Sequence, residues 1–150
     1  MRSIPFWPRV LGLAGVLPQL ALLVIALAGP THYAGTAREI AALYAAIIFT
    51  FLGGTWWGIA ATAPAAERRG SLGWLWIAAV APSLIALVAL ALRLLGVIPI
   101  EPILVALGAG LLIALGVDAR LAPLAPRWWM KLRVPLSLLL GSATLALALV

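Results

Sequence analysis

The chain has 150 residues, of which 65% are apolar and only 9% are charged, with a mean hydropathy of +1.19. A soluble domain carries about 25% charged residues, so this composition excludes a water-covered globule and allows one compact membrane domain across residues 1–150. The net charge of +6 does not mark a nucleic-acid binder, because the basic groups flank apolar runs and form no solvated patch, and the lack of cysteine excludes disulfides and thiolate metal sites.

A membrane-spanning helix needs about 20 mostly apolar residues. Five segments approach that length, at 10–29, 40–62, 72–92, 103–117 and 134–150. The fold expected is an all-α integral membrane protein, a bundle of five transmembrane helices. The first segment follows Arg2 and Arg9 and ends in Ala26-Leu27-Ala28, which resembles a signal peptide. Pro18 and Gln19 in its middle favour an uncleaved helix, kinked at the proline. Gln19 is the most polar side chain deep within any span and is expected to point inward and bond to a neighbouring helix.

The first outer gap holds His32, Tyr33, Arg38 and Glu39; His32 is the only histidine and reads as a loop residue. The second segment carries a small-residue ridge, Ala46, Thr50, Gly54, Gly58 and Thr62, expected to face protein. Pro82 should kink the third segment, with Ser83 beside it to satisfy the freed carbonyl. The fourth segment is short and carries a matching ridge, Ala106, Gly110 and Ala114, ending on Asp118. An anion at a helix C-terminus opposes the helix dipole, so Asp118 is expected to form a headgroup-level ion pair with Arg120, Arg127 or Arg133. From Pro126 to Arg133 the sequence PRWWMKLR suggests a short helix in the headgroup plane, with Arg127 and Lys131 on one face.

Alternate gaps collect eight of the ten basic residues: Arg2 and Arg9, then Arg68 and Arg69, then Arg120, Arg127, Lys131 and Arg133. The other gaps hold Arg38 and Arg93. The positive-inside rule therefore predicts a cytoplasmic N-terminus and a C-terminus on the far side. All seven tryptophans, Trp7, Trp56, Trp57, Trp74, Trp76, Trp128 and Trp129, fall toward the same basic side, whereas an ordinary aromatic belt marks both interfaces. Trp56, Trp57, Trp74, Trp128 and Trp129 with Arg127, Lys131 and Arg133 form the candidate surface for a partner or for anionic lipid headgroups.

No catalytic constellation stands out. Glu39, Glu67 and Glu101 lie in separate gaps, and no phosphate loop, nucleophile elbow or zinc string occurs. The sequence gives no reason to expect a cofactor, a metal or an enzymatic activity.

Phe51 to Ala60 (FLGGTWWGIA), Pro126 to Leu136 (PRWWMKLRVPL) and the first-span pattern of Leu11, Gly12, Gly15 and Pro18 carry a resemblance across nearly the whole chain. The chain resembles a family of small five-helix membrane proteins catalogued as a domain of unknown function (number three-four-two-nine), of bacterial inner membranes with mitochondrial relatives. One departure is Trp129, where that resemblance leads one to expect tyrosine. The resemblance implies the architecture and the bacterial inner membrane, and it brings no catalytic residues. The function expected is that of a non-enzymatic structural, accessory or assembly component, docking partners of a larger membrane complex or lipids through the Trp/Arg surface. The alternative is a small transporter or binder of a lipophilic molecule, a quinone or lipid, in a cavity near Gln19 and Pro82.

Overall fold

A computed structural model of the protein describes residues 4–63 and 72–150. Arg2, Glu67, Arg68 and Arg69, which entered the charge count, lie outside the described residues. The described chain is helical: α1 (Phe6–Ala14), α2 (Leu17–Ala28), α3 (Thr31–Thr62), α4 (Gly73–Leu94), α5 (Ile100–Leu121) and α6 (Trp129–Leu147), with a short 3-10 turn at Ala122–Leu124. Five segments are long and apolar enough to cross a membrane, α1 and α2 together making the first. The protein is a multi-pass membrane protein built as a helical bundle. α3 lies at its centre, packed against α2, α4, α5 and α6, while α6 lies along α5 and reaches α2.

Several helix ends differ from the expected ones for one physical reason: polar residues continue a helix when another helix supplies their partners. α3 begins at Thr31, nine residues before the apolar run, so His32 lies in its first turn and not in a loop. At about 1.5 Å per residue its 32 residues exceed the ~30 Å hydrocarbon thickness. Arg38 and Glu39 within this extension pair with Glu101 of α5 and Arg93 of α4. α5 runs for 22 residues, long enough to span, because Glu101 in its first turn suits the dipole and Asp118 and Arg120 in its last turns find partners. The expected headgroup-plane helix is corrected as well: from Trp129 the chain is already the first turn of α6, continuous through Pro135 to Leu147.

The first span breaks at Gly15 and Val16, just ahead of Pro18, and Tyr44 of α3 donates to the Gly15 carbonyl at 2.5 Å. α4 keeps its helix through Pro82, while Ser83 lies on the exposed face. Gly96, at φ +69°, ends α4; the Val97 N–H reaches Leu92 O and the Gly96 N–H reaches Arg93 O, closing the helix C-terminus before the turn into α5.

Of the glycines expected at close helix contacts Gly110 makes one, and the other close contacts fall on different glycines. Gly54 and Gly58 are exposed, and a Cβ there would meet nothing within 4 Å. The protein-facing stripe of α3 is one residue away, through Ala45, Phe49, Leu52, Gly53, Trp56 and Ala60. A Cβ on Gly53 would collide with the Ala79 carbonyl and lie 3.3 Å from Pro82, so α4 crosses α3 directly over this glycine. Gly110 does face protein, with the Phe49 ring 3.0 Å from its would-be Cβ. Gly108 and Gly141 provide the α5–α6 approach: a Cβ on Gly108 would lie 3.0 Å from Gly141 O, and one on Gly141 3.1 Å from Gly108 O.

Candidate functional site

Topology places the α1 start, the α3 end, the α4 start, the α5 end and the α6 start at one end of the bundle, and all seven tryptophans lie toward it. At its centre is Asp118, fully buried on the last turns of α5. An ionised carboxylate in such a place must be paired and hydrogen-bonded, and it is. Trp56 of α3 donates its indole N–H to Oδ1 at 2.9 Å, Trp129 of α6 donates to the same oxygen at 3.2 Å, and Arg133 of α6 donates from Nε to Oδ2 at 2.8 Å. Arg133 also reaches Ser137 Oγ from Nη2 at 3.0 Å, one turn along its own helix. Three helices are thereby tied at one carboxylate.

The sequence singled out Asp118, Trp56, Trp129 and Arg133, but as a headgroup ion pair and a surface. The structure turns all four inward: Trp56 is 2% exposed, and the Arg133 side chain 7%. Ser137 was missed; its spacing of four from Arg133 on one helix face was the available signal. Arg120 does not join Asp118. Its guanidinium lies over the Trp74 ring at 4.6 Å, a cation–π contact from α5 to α4. Trp57 packs edge-on against Trp76 with centroids 4.7 Å apart, and Trp128 is half-buried beside Trp129. Arg9, Arg120, Arg127 and Lys131 are exposed at this end and pair with no carboxylate among the described residues.

The opposite end is neutralised. Arg38 pairs with Glu101 at 2.5 Å and donates from Nε to the Leu147 carbonyl at 3.1 Å. Arg93 pairs with Glu39, its Nε 2.9 Å from Oε1. Both cations predicted for the outer gaps are therefore engaged by protein, and together the pairs hold the ends of α3, α4, α5 and α6.

Gln19 is fully buried between α2 and α6, and its Nε2 donates to Thr144 Oγ1 at 2.8 Å, while its Oε1 has no partner among the described residues. The cleft beside Pro82, about 410 Å³, lies between α4 and α5 over Phe49 and Trp56, and Gln19 is not among its walls.

A second cleft, about 310 Å³, opens between α1, α3 and α6 at the tryptophan end. Its walls include Pro8, Leu11 and Gly12 of α1, Leu52 and Thr55 of α3, and Trp129, Leu132, Arg133 and Leu136 of α6. All of these but Pro8 belong to the three sequence blocks singled out above, brought to one place. Arg133 is its only charged wall among the described residues.

The chain matches, over residues 4–150, a family described as a protein of unknown function, DUF3429. The chain belongs to this family. No curated protein and no solved structure matches it. Membership agrees with the five-span helical architecture, and the family description assigns no activity.

Proposed function

We propose that this member of the DUF3429 family is a non-enzymatic accessory component of a bacterial inner membrane that docks anionic lipid through its tryptophan end, held on the cytoplasmic side. The observation that carries this reading is the asymmetry of ion pairing. At one end Arg38 and Arg93 are engaged by Glu101 and Glu39; at the other, Arg9, Arg120, Arg127 and Lys131 are exposed with no carboxylate partner among the described residues. Basic residues near an anionic leaflet gain about 1 kcal/mol each, and the indoles around them sit well at the headgroup level. Lipid docking is favoured over a protein partner because Trp56 and Arg133, two members of the expected surface, are more than nine-tenths buried and so are withheld from a flat protein interface.

The test is lipid selectivity in bilayers containing spin-labelled phosphatidylglycerol or phosphatidylcholine. The motionally restricted fraction should favour phosphatidylglycerol, and the preference should fall with added salt, as exposed charges are screened. Replacement of Arg127 and Lys131 by glutamine should reduce it further. Equal restriction of the two lipids at low salt would remove the basis of the reading.

A further inference from the structure

We propose that the cleft between α1, α3 and α6 is a specific site for one anionic glycerophospholipid, its phosphate held by Arg133 and an acyl chain lying along Leu11, Leu52, Leu132 and Leu136. This rests on the lipid-docking reading above and names a defined site within it.

The first argument is the unfinished hydrogen bonding of Arg133. A guanidinium offers five N–H groups; Nε donates to Asp118 and Nη2 to Ser137, and Nη1 donates to no protein atom among the described residues. Asp118 takes three donors on its two oxygens, is fully buried and is not a wall of the cleft. The pair therefore offers the cleft donors and no free acceptor. Although the side chain is more than nine-tenths buried, it lines this cleft. The matching ligand group is an oxygen acceptor.

The second argument concerns charge. Arg133 is offset by Asp118, so the pair alone selects no anion. The exposed cations on the same helix ends, Arg9 on α1, Arg127 before α6 and Lys131 within it, add positive potential at the mouth. Phosphate suits a guanidinium better than it suits an ammonium, because the planar donors match its oxygens.

The third argument is depth and lining. Arg133 is four residues into α6, about 6 Å below the helix start at 1.5 Å per residue. That is the level of phosphate and glycerol for a helix that begins at the headgroups. Apart from Arg133 and Thr55 the walls are apolar or aromatic, and the Thr55 hydroxyl is already donated to Phe51 O. A free phosphate ion would gain nothing from such walls, whereas an acyl chain covers them. A volume of about 310 Å³ is at the small end of ligand pockets, ~300–1,000 Å³, which fits the headgroup-proximal part of one lipid.

Native mass spectrometry of the protein released from bilayers of equal phosphatidylglycerol and phosphatidylcholine tests this. The expected result is one retained phosphatidylglycerol per chain, not displaced by excess inorganic phosphate. Thr55→Phe, which fills the cleft without touching the ion pair, should lower retention at least tenfold. The exchange Asp118→Arg with Arg133→Asp keeps an ion pair but turns the donors away from the cleft, and it should do the same. Should the exchange variant not fold, Thr55→Phe alone decides. If bilayer selectivity for phosphatidylglycerol persists but no adduct is retained, or retention is indifferent to Thr55→Phe, the cleft site is overturned while general docking stands. If the adduct yields to inorganic phosphate, the occupant is not a lipid. Loss of both adduct and bilayer selectivity in the unmodified protein sinks the docking reading itself.

Discussion

Arg133 donates from Nε to Oδ2 of Asp118 at 2.8 Å, joining the first turns of α6 to the last turns of α5 where neither side chain is more than 7% exposed. Removing one member of a buried pair leaves a charge without compensation and costs about 3–5 kcal/mol, whereas replacing both with apolar groups costs much less. Arg133→Met and Asp118→Leu should each lower the unfolding free energy in detergent by roughly that amount. The double variant should lose less than either single one. Strict additivity in the double-mutant cycle would mean that the two groups are not coupled.

Gly53 and Gly54 are neighbours with opposite surroundings. Gly53→Ala drives a methyl into the Ala79 carbonyl and should cost about 1–3 kcal/mol of thermal stability by overpacking. Gly54→Ala and Gly58→Ala meet open space and should be neutral or gain up to about 1 kcal/mol from helix propensity. Melting curves of the three variants in one detergent separate them; equal losses would contradict the α3–α4 crossing.

Gln19 and Thr144 should also respond unequally. Hydrogen bonds between membrane helices average about 0.6 kcal/mol. Gln19→Leu removes one such bond together with a buried carbonyl that has no partner, so it should be close to neutral. Thr144→Val leaves the whole amide unpaired and should cost about 1–3 kcal/mol. A larger loss for Gln19→Leu than for Thr144→Val would show that the amide oxygen is satisfied.

The five spans were legible because run length and apolarity are local properties of the chain. Their ends were not, since Arg38 and Glu39 continue α3 only by virtue of Glu101 and Arg93, which lie 63 and 54 positions away. The glycine ridge failed for a similar reason: a step of one residue turns a helix by about 100°, and only the position of α4 decides whether Gly53 or Gly54 faces protein. At the tryptophan end the residue types were legible and their direction was not. Asp118 had three nearby arginines as candidates, yet its partner also depended on Trp56, 62 positions away, closing over the same carboxylate. Gln19 was readable because a lone amide in an apolar run has few choices but to turn inward.

Orientation can be read by labelling, since the chain has no cysteine of its own. Val97→Cys, exposed in the α4–α5 turn, should react with an impermeant maleimide added outside intact cells. Arg127→Cys should react only after permeabilisation. The reverse pattern would place the tryptophan end outside and would remove the anionic leaflet from its reach.

The central claim, that the tryptophan end gathers anionic lipid, is open to one direct measurement, because all seven indoles lie toward that end and report on it alone. Tryptophan emission should be quenched more strongly by phosphatidylglycerol brominated near the headgroup than by equally brominated phosphatidylcholine at the same mole fraction, with the difference shrinking at high salt. Equal quenching by the two lipids at low salt would contradict the account.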